Sequence, residues 1–359
     1  MDARLDLCPY RLALARPWAS RRGRLTDRRG WLVRIEHDGR SGFGDCAPLP
    51  EAGTETHAQA AAWLAHWPRL AASRTPAALL DELDGDAAPV PCARYGIECA
   101  LLDLLSQTAG VTLRAWLAPH ALDRIPVNAA LGRLSDASAE AARAARQAGF
   151  EVVKLKVGLG EADAELARLR GLAAGLPDGI RLRLDANGAW DMPTAVRIVE
   201  GLAGLGIEAL EEPLKRPRVA DLRALQKAAD FPLALDESLP TPDRKGAPDI
   251  DLSGGLAQFP LKRLVLKPAA LGGLRPSLRT ALRAIAAGRE VVITSLVESA
   301  AGIWPAAQLA AALPGQPAHG LATSSWLGED LGQPPFPQRG RIELPSRPGS
   351  GFRAWPAGG

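Results

Sequence analysis

From about Pro126 onward, short apolar runs recur at intervals of roughly 25 to 30 residues. They read "PVNAAL", "EVVKLKV", "IRLRLDA", "IEALEEP", "FPLALDE", "LKRLVLK", "EVVITSL" and "AHGLATS". Between most of them lie Ala/Leu/Arg stretches with a helical period, such as "DAELARLRGLAAGL" and "MPTAVRIVEGLAGLG". Strands alternating with helices in this way predict a (β/α)8 barrel, a TIM-like α/β architecture. The rival arrangement is an open doubly wound sheet, and no Gly-rich dinucleotide fingerprint follows any strand to favour it.

The first hundred residues have a different rhythm. "GWLVRIEHDG" and "RSGFGDCAPLP" predict two strands joined through Asp38-Gly39, a hairpin turn signal. Helical stretches follow from about Thr56 to Trp67 and from Cys92 to Ser106. Strands followed by helices predict an α+β capping domain over 1–100, ahead of a barrel over 101–329. The tail, 330–359, has too little periodicity for a domain and is expected to pack back on the N-terminal unit.

One run breaks the apolar pattern. In "EVVKLKVG", Lys154 and Lys156 stand two apart in what otherwise reads as a buried strand, so both ammonium groups point to the same face. Burying one such charge is costly, and two side by side cost more. Neighbouring runs end in kind: Asp185 and Asn187 close the third, Glu211 and Glu212 the fourth, Asp236 and Glu237 the fifth, and Lys267 the sixth. A lone strand-end Asp is ordinarily a turn former or helix cap. Five successive strands ending this way point instead to a site at the C-terminal face of a barrel.

Three carboxylates converging from adjacent strands require a cation. Oxygen donors without a nearby Cys or His pair select a hard ion, Mg2+ before Mn2+ or Ca2+. The histidines show no spacing suited to zinc. Lysines on both sides of such an ion suit removal of a proton next to a carboxylate, with the ion stabilising the enediolate that results.

The bulk numbers add exclusions. Of 359 residues, 47% are hydrophobic and 23% charged, an ordinary globular composition. The net charge of +3 is too slight to argue for nucleic acid. Arg21, Arg22, Arg24, Arg28 and Arg29 form the densest basic cluster and are expected to be a solvated loop. No run of about 18 apolar residues predicts a membrane span. The charged N-terminus and four cysteines without a CxxC pair suggest a reducing cytoplasm. The expected partner is a small-molecule carboxylate, and nothing in the pattern sets an oligomeric state.

The order KxK, DAN, EEP, DES, LKP resembles the enolase superfamily, in its muconate-lactonising branch, over nearly the whole chain. "RYGIECALLDLLSQTAGVTLRAWL" is similar to that family's junction helix before the barrel. The resemblance implies Asp185, Glu211 and Asp236 as metal ligands, with Glu212, Asn187 and Glu237 behind them. It implies Lys156 as the base, Lys154 as its partner and substrate contact, and Lys267 as the lysine on the opposite face. Ser295 and the Gly320 N–H would contact the substrate carboxylate, and Arg183 would line and brace the site. Within the branch, "GFGDCAPLPEAGTET", "ITSLVESAAG" and "HGLATSSWLGEDL" are similar to the o-succinylbenzoate synthase family. Dipeptide epimerases, N-acylamino acid racemases and muconate cycloisomerases share the same lysines and ligands. Loops near Ser20–Arg29 and Ala47–Thr56 would discriminate among them.

Overall fold

The structure, a computed structural model, describes residues 2–20, 23–239, 256, 259–315 and 317–355. Three antiparallel strands open the chain: β1 (Arg4–Ser20), β2 (Gly23–His37) and β3 (Arg40–Cys46), in that spatial order. The β2–β3 turn is Asp38-Gly39, both with positive φ (46° and 73°), the geometry of a tight hairpin. Strand β1 was not foreseen in the sequence. Its apolar positions Leu5 and Leu12 lie on opposite faces, so no single alternation runs through it, and Pro9 interrupts the pattern further.

Helices α1 (His57–Leu64), α2 (Trp67–Ala71), α3 (Pro76–Gly85) and α4 (Pro91–Thr108) follow. Thr56 starts α1 through a capping box with Gln59. Helix α4 is buried almost all round and lies directly on β3, where Gly42 and Gly44 let the backbones meet. Its fully buried Ile97, Leu101 and Leu104 each contribute about 1.5–3 kcal/mol relative to exposure.

Short α5 (Leu113–Leu117) and β4 (Arg124–Pro126) lead into the barrel. There β5 (Ala129–Arg133), α6 (Ser138–Gln147), β6 (Val152–Lys156), α7 (Ala162–Ala174), β7 (Arg181–Asp185) and α8 (Met192–Leu202) alternate. They continue with β8 (Ile207–Glu211), α9 (Val219–Ala228), β9 (Leu233–Leu235), β10 (Arg263–Leu266), α10 (Leu274–Ala286), β11 (Glu290–Ile293) and α11 (Ala300–Ala311). The strands β5 to β11 form one sheet in sequential order, with parallel pairing throughout.

The eighth run, "AHGLATS", does not become a full strand. His319 bridges Val127 beside β5, and Gly320 bridges Thr294 beyond β11, so two residues span the gap between the sheet's edges. A final strand, β12 (Arg341–Glu343), pairs with β4. The tail reaches the N-terminal unit: Ser350 N–H donates to Asp103 Oδ1 at 2.6 Å, and Phe352 packs edge-on against Phe43. Residues 356–359 lie outside those described.

The arginine cluster corrects a second expectation. Arg24, Arg28 and Arg29 belong to β2 rather than to a loop, and Arg28 is only 2% exposed. Arg21 and Arg22 lie outside the described residues.

Candidate active site

The barrel interior opens at the C-terminal ends of its strands into a cavity of about 310 Å3. Lys154, Lys156, Asp185, Glu211, Asp236 and Lys267 all line it. Strand register accounts for the convergence. Lys156 pairs with Asp185 and Asp185 with Glu211, so three neighbouring strands deliver their last inward side chains at one level. Asp236 follows β9 and Lys267 follows β10, continuing the ring.

Within the ring, cations and anions alternate. Lys154 Nζ bridges Asp185 Oδ2 at 3.0 Å and Glu211 Oε2. Lys156 Nζ donates to Asn187 Oδ1 at 2.5 Å and lies 3.6 Å from Asp185 Oδ2. Lys267 Nζ donates to Asp236 Oδ2 at 2.6 Å. Burial opposes the charge on Lys154, yet Asp185, Glu211 and Asp236 outweigh it and hold its pKa above the ordinary lysine value. Lys267 is raised in the same sense, burial being overcome by Asp236 and Glu237. Burial also works against ionised Asp185, but Lys154 and Lys156 bring its pKa down to about 2.

The residues behind the ring orient it. Asn187 Nδ2 donates to Glu237 Oε1 at 3.0 Å while its carbonyl oxygen holds Lys156. Glu212 points away from the cavity and accepts the Asp236 and Ser238 N–H groups, each at 2.7 Å, fixing the loop after β9. Asn187 and Glu212 both have φ of 46°, so the chain turns sharply after each acid-bearing strand. Burial and then the Glu237 charge push Glu212 up to about 8.

Beneath the ring lies a layer that the sequence did not reveal. A register shift between Leu182 and Arg183 sets Glu208 as an extra residue in β8, and it turns inward together with Glu211. Arg183 donates to both Glu208 oxygens at 2.8 and 2.9 Å and to Asn128 Oδ1 at 3.1 Å. Arg263 reaches Glu208 from β10 at 2.8 Å. Burial would raise Glu208, but Arg183 and Arg263 prevail and hold it at about 2. The signal available was spacing: Glu208 and Glu211 stand three apart, which one inward face accommodates only through a bulge.

Two expected substrate contacts require comment. Arg183 lines the cavity floor, but its donors are taken by Glu208 and Asn128, which makes it a brace under Glu211. The Gly320 N–H donates to the Ile293 carbonyl at 2.8 Å and so does not face a ligand; closing the barrel claims it. Ser295 does line the cavity, its hydroxyl 3.0 Å from that of Thr323. From the cap, Leu25, Leu49, Glu51 and Ala52 reach the mouth, so both segments singled out in the sequence contribute.

Among the described residues, no three His, Cys, Asp or Glu side chains are already gathered closely enough to hold a metal ion. The acids are drawn instead to lysines of the chain itself. The donor set nevertheless suits a hard divalent cation, since Asp185, Glu211 and Asp236 all act on the single ammonium of Lys154.

The chain as a whole is similar to known proteins. The family described as "Enolase C-terminal domain-like" matches residues 136–354, and "MenC, N-terminal domain" matches residues 3–104. The chain belongs to the enolase superfamily. Relatives named o-succinylbenzoate synthase resemble it over most of their length. One from Klebsiella pneumoniae is 30% identical and one from Thermobifida fusca 31%, covering 88% and 90% of this chain and 88% and 83% of their own. Among solved structures, a dipeptide epimerase from Methylococcus capsulatus complexed with Mg and the dipeptide L-Arg-D-Lys is 29% identical. It superposes with a TM-score of 0.86 over 98% of this chain and 99% of that one. The muconate lactonizing enzyme from Pseudomonas fluorescens, at 24% identity, shares the fold with a TM-score of 0.85 over 98% of this chain and 96% of that one.

Proposed function

We propose that this protein is an o-succinylbenzoate synthase, dehydrating 2-succinyl-6-hydroxy-2,4-cyclohexadiene-1-carboxylate to o-succinylbenzoate and water. The observation that carries this reading is the set of lysines on both sides of strand-end carboxylates in one cavity, in a chain about 30% identical to synthases. Asp185, Glu211 and Asp236 would hold Mg2+, with Mn2+ a substitute. When bound, that ion supplies charge stabilisation for the dianionic form of the substrate carboxylate.

Lys156 removes the proton alpha to the ring carboxylate and returns it to the hydroxyl as that group leaves. One C–H and one C–O bond break, water departs, and the ring becomes aromatic. Lys267 stays charged and stabilises the developing enediolate from the opposite face. Lys154 places a second fixed charge beside the base, and Asn187 orients the Lys156 amine.

A second reading, favoured by the likeness to the Methylococcus capsulatus dipeptide epimerase, is 1,1-proton transfer on a dipeptide or N-acylamino acid. One experiment separates them: incubation of the purified protein with Mg2+ and each substrate class, following aromatic absorbance and optical rotation. The synthase reading expects aromatisation that chelation stops, Mg2+ restores and Lys156→Ala abolishes. Racemisation without aromatisation would overturn it.

A further inference from the structure

Arg28 stands in the cap, yet it reaches both a cap segment and a barrel turn beside the cavity's entrance. Its Nε donates to the Val297 carbonyl at 3.1 Å, Nη1 to Pro48 at 3.0 Å and Nη2 to Ala47 at 2.5 Å. Ala47 and Pro48 lead directly into Leu49 and Glu51 at the mouth, and Leu25 lines the mouth from Arg28's own strand. Ser295, Leu296 and Val297 line the cavity from the barrel side. A single buried guanidinium therefore ties together two cap segments and one barrel turn.

Val297 is the strained member of that turn. Its φ is 62°, in the left-handed region that a β-branched residue avoids. The turn is held from several directions. The Val297 N–H donates to Ser295 Oγ at 3.3 Å, and the Leu296 N–H to Glu298 Oε2 at 2.9 Å. Next along the chain, Asp45 of β3 accepts the Ser299 N–H and hydroxyl at 2.7 and 2.8 Å, and also the Tyr10 hydroxyl at 2.6 Å. The Val297 side chain packs with Leu12 and Leu14 of β1 and with Leu327.

We propose that Arg28 is a positioning residue: it holds the Ser295–Val297 turn in its left-handed conformation and so fixes the wall against which the substrate is oriented. Its donors go to main-chain carbonyls, so it acts on the reaction only through the segments it holds, the Ser295–Val297 turn and the Ala47–Pro48 stretch beside it. The claim about catalysis rests on the proposed function; the claim that Arg28 restrains the turn does not.

The test is a comparison of Arg28→Met in two backgrounds, the natural Val297 and Val297→Gly. With valine, kcat/KM falls about 10²-fold, as a small misplacement of a binding wall can cost. More of the loss appears in KM than in kcat, because the lysines are untouched. With glycine, which adopts positive φ freely, the same change costs clearly less, about tenfold, the remainder coming from the lost Ala47 and Pro48 contacts. Arg28→Lys fails to rescue, since one ammonium cannot serve three carbonyls as the planar fork does. Hydrogen exchange over residues 294–299 accelerates in Arg28→Met with Val297 present. An equal loss in both backgrounds, or unchanged exchange, overturns the proposal. Should Arg28→Met fail to fold, Arg28→Lys enters the same comparison with the same criteria. If the natural protein does not aromatise the cyclohexadiene, the functional reading fails, and the exchange measurement still decides the role of Arg28.

Discussion

Lys154 sits between Asp185 and Glu211, Lys156 lies beside Asp185 and Lys267 holds Asp236, so the three acids are shared among three internal cations. A divalent ion binding there competes with those ammonium groups, and each acid it loses weakens it. Asp185→Asn, Glu211→Gln and Asp236→Asn are each expected to lower Mg2+ affinity by at least about tenfold with the fold intact. Calorimetric titration checks this, and unchanged affinity in all three variants contradicts the ligand assignment. A second expectation concerns Glu298, which burial holds up at about 7. Above its ordinary value of 4.5 the unfolded chain has lost this proton while the folded chain keeps it. This contribution to stability is therefore fully present below pH 4.5 and is lost as the pH rises through about 7. The full effect is about 3 kcal/mol. Glu298→Gln has nothing to ionise, so urea unfolding at pH 5 and pH 8 should show a smaller fall than in the natural protein. Parallel falls would mean that Glu298 does not carry this part of the pH dependence.

Helix α4 is seated on β3 through glycines, and this contact has no slack. A Cβ at Gly44 would lie 2.0 Å from the Gly96 carbonyl oxygen. Gly44→Ala is expected to destabilise the protein at or above the upper end of roughly 1–3 kcal/mol, the usual range for overpacking. Gly85, at the end of α3, has nothing within 4 Å of its missing Cβ. Gly85→Ala should be neutral or stabilise by up to about 1 kcal/mol. Thermal melts of the pair check both. The ease of reading an element from sequence followed how much of its pattern was local. The runs around Lys154, Asp185 and Glu211 were legible because inward and outward residues alternate and charges fall at strand ends. Glu208 was hidden because a bulge, which only the neighbouring strand reveals, turns it inward. Arg28 looked like a surface charge because its partners are distant main-chain carbonyls, up to 269 positions away. The "AHGLATS" run carries strand-like residues, yet the gap it spans needs only His319 and Gly320.

Across the whole molecule, the N-terminal unit and the barrel are joined by buried polar contacts as well as apolar ones. Arg28 to Val297, Asp45 to Ser299, Tyr95 to Gly302 and Glu98 to Arg275 all cross the seam. Opening that seam exchanges each of these hydrogen bonds for bonds to water, at about 0.5–1.5 kcal/mol apiece, and exposes the apolar surface around them. The two units should therefore unfold together. Far-ultraviolet circular dichroism and tryptophan fluorescence are expected to give coincident transitions, with tryptophans in both units reporting (Trp31 and Trp67, Trp190 and Trp304). Two separated transitions would show the seam to be weaker than its hydrogen bonds imply.

The partnership of Asp103 with Ser350 bears on synthesis as well. A ribosome delivers the cap first, but Asp103 must wait for a residue 247 positions later. At roughly 5–20 residues per second, that delay is on the order of ten to fifty seconds. During it the carboxylate in α4 lacks its final partner, and Phe43 lacks Phe352. The nascent cap thus carries an unfinished, partly apolar seam for longer than most domains need to fold. That seam is the surface on which a chaperone working at the exit tunnel would find this chain.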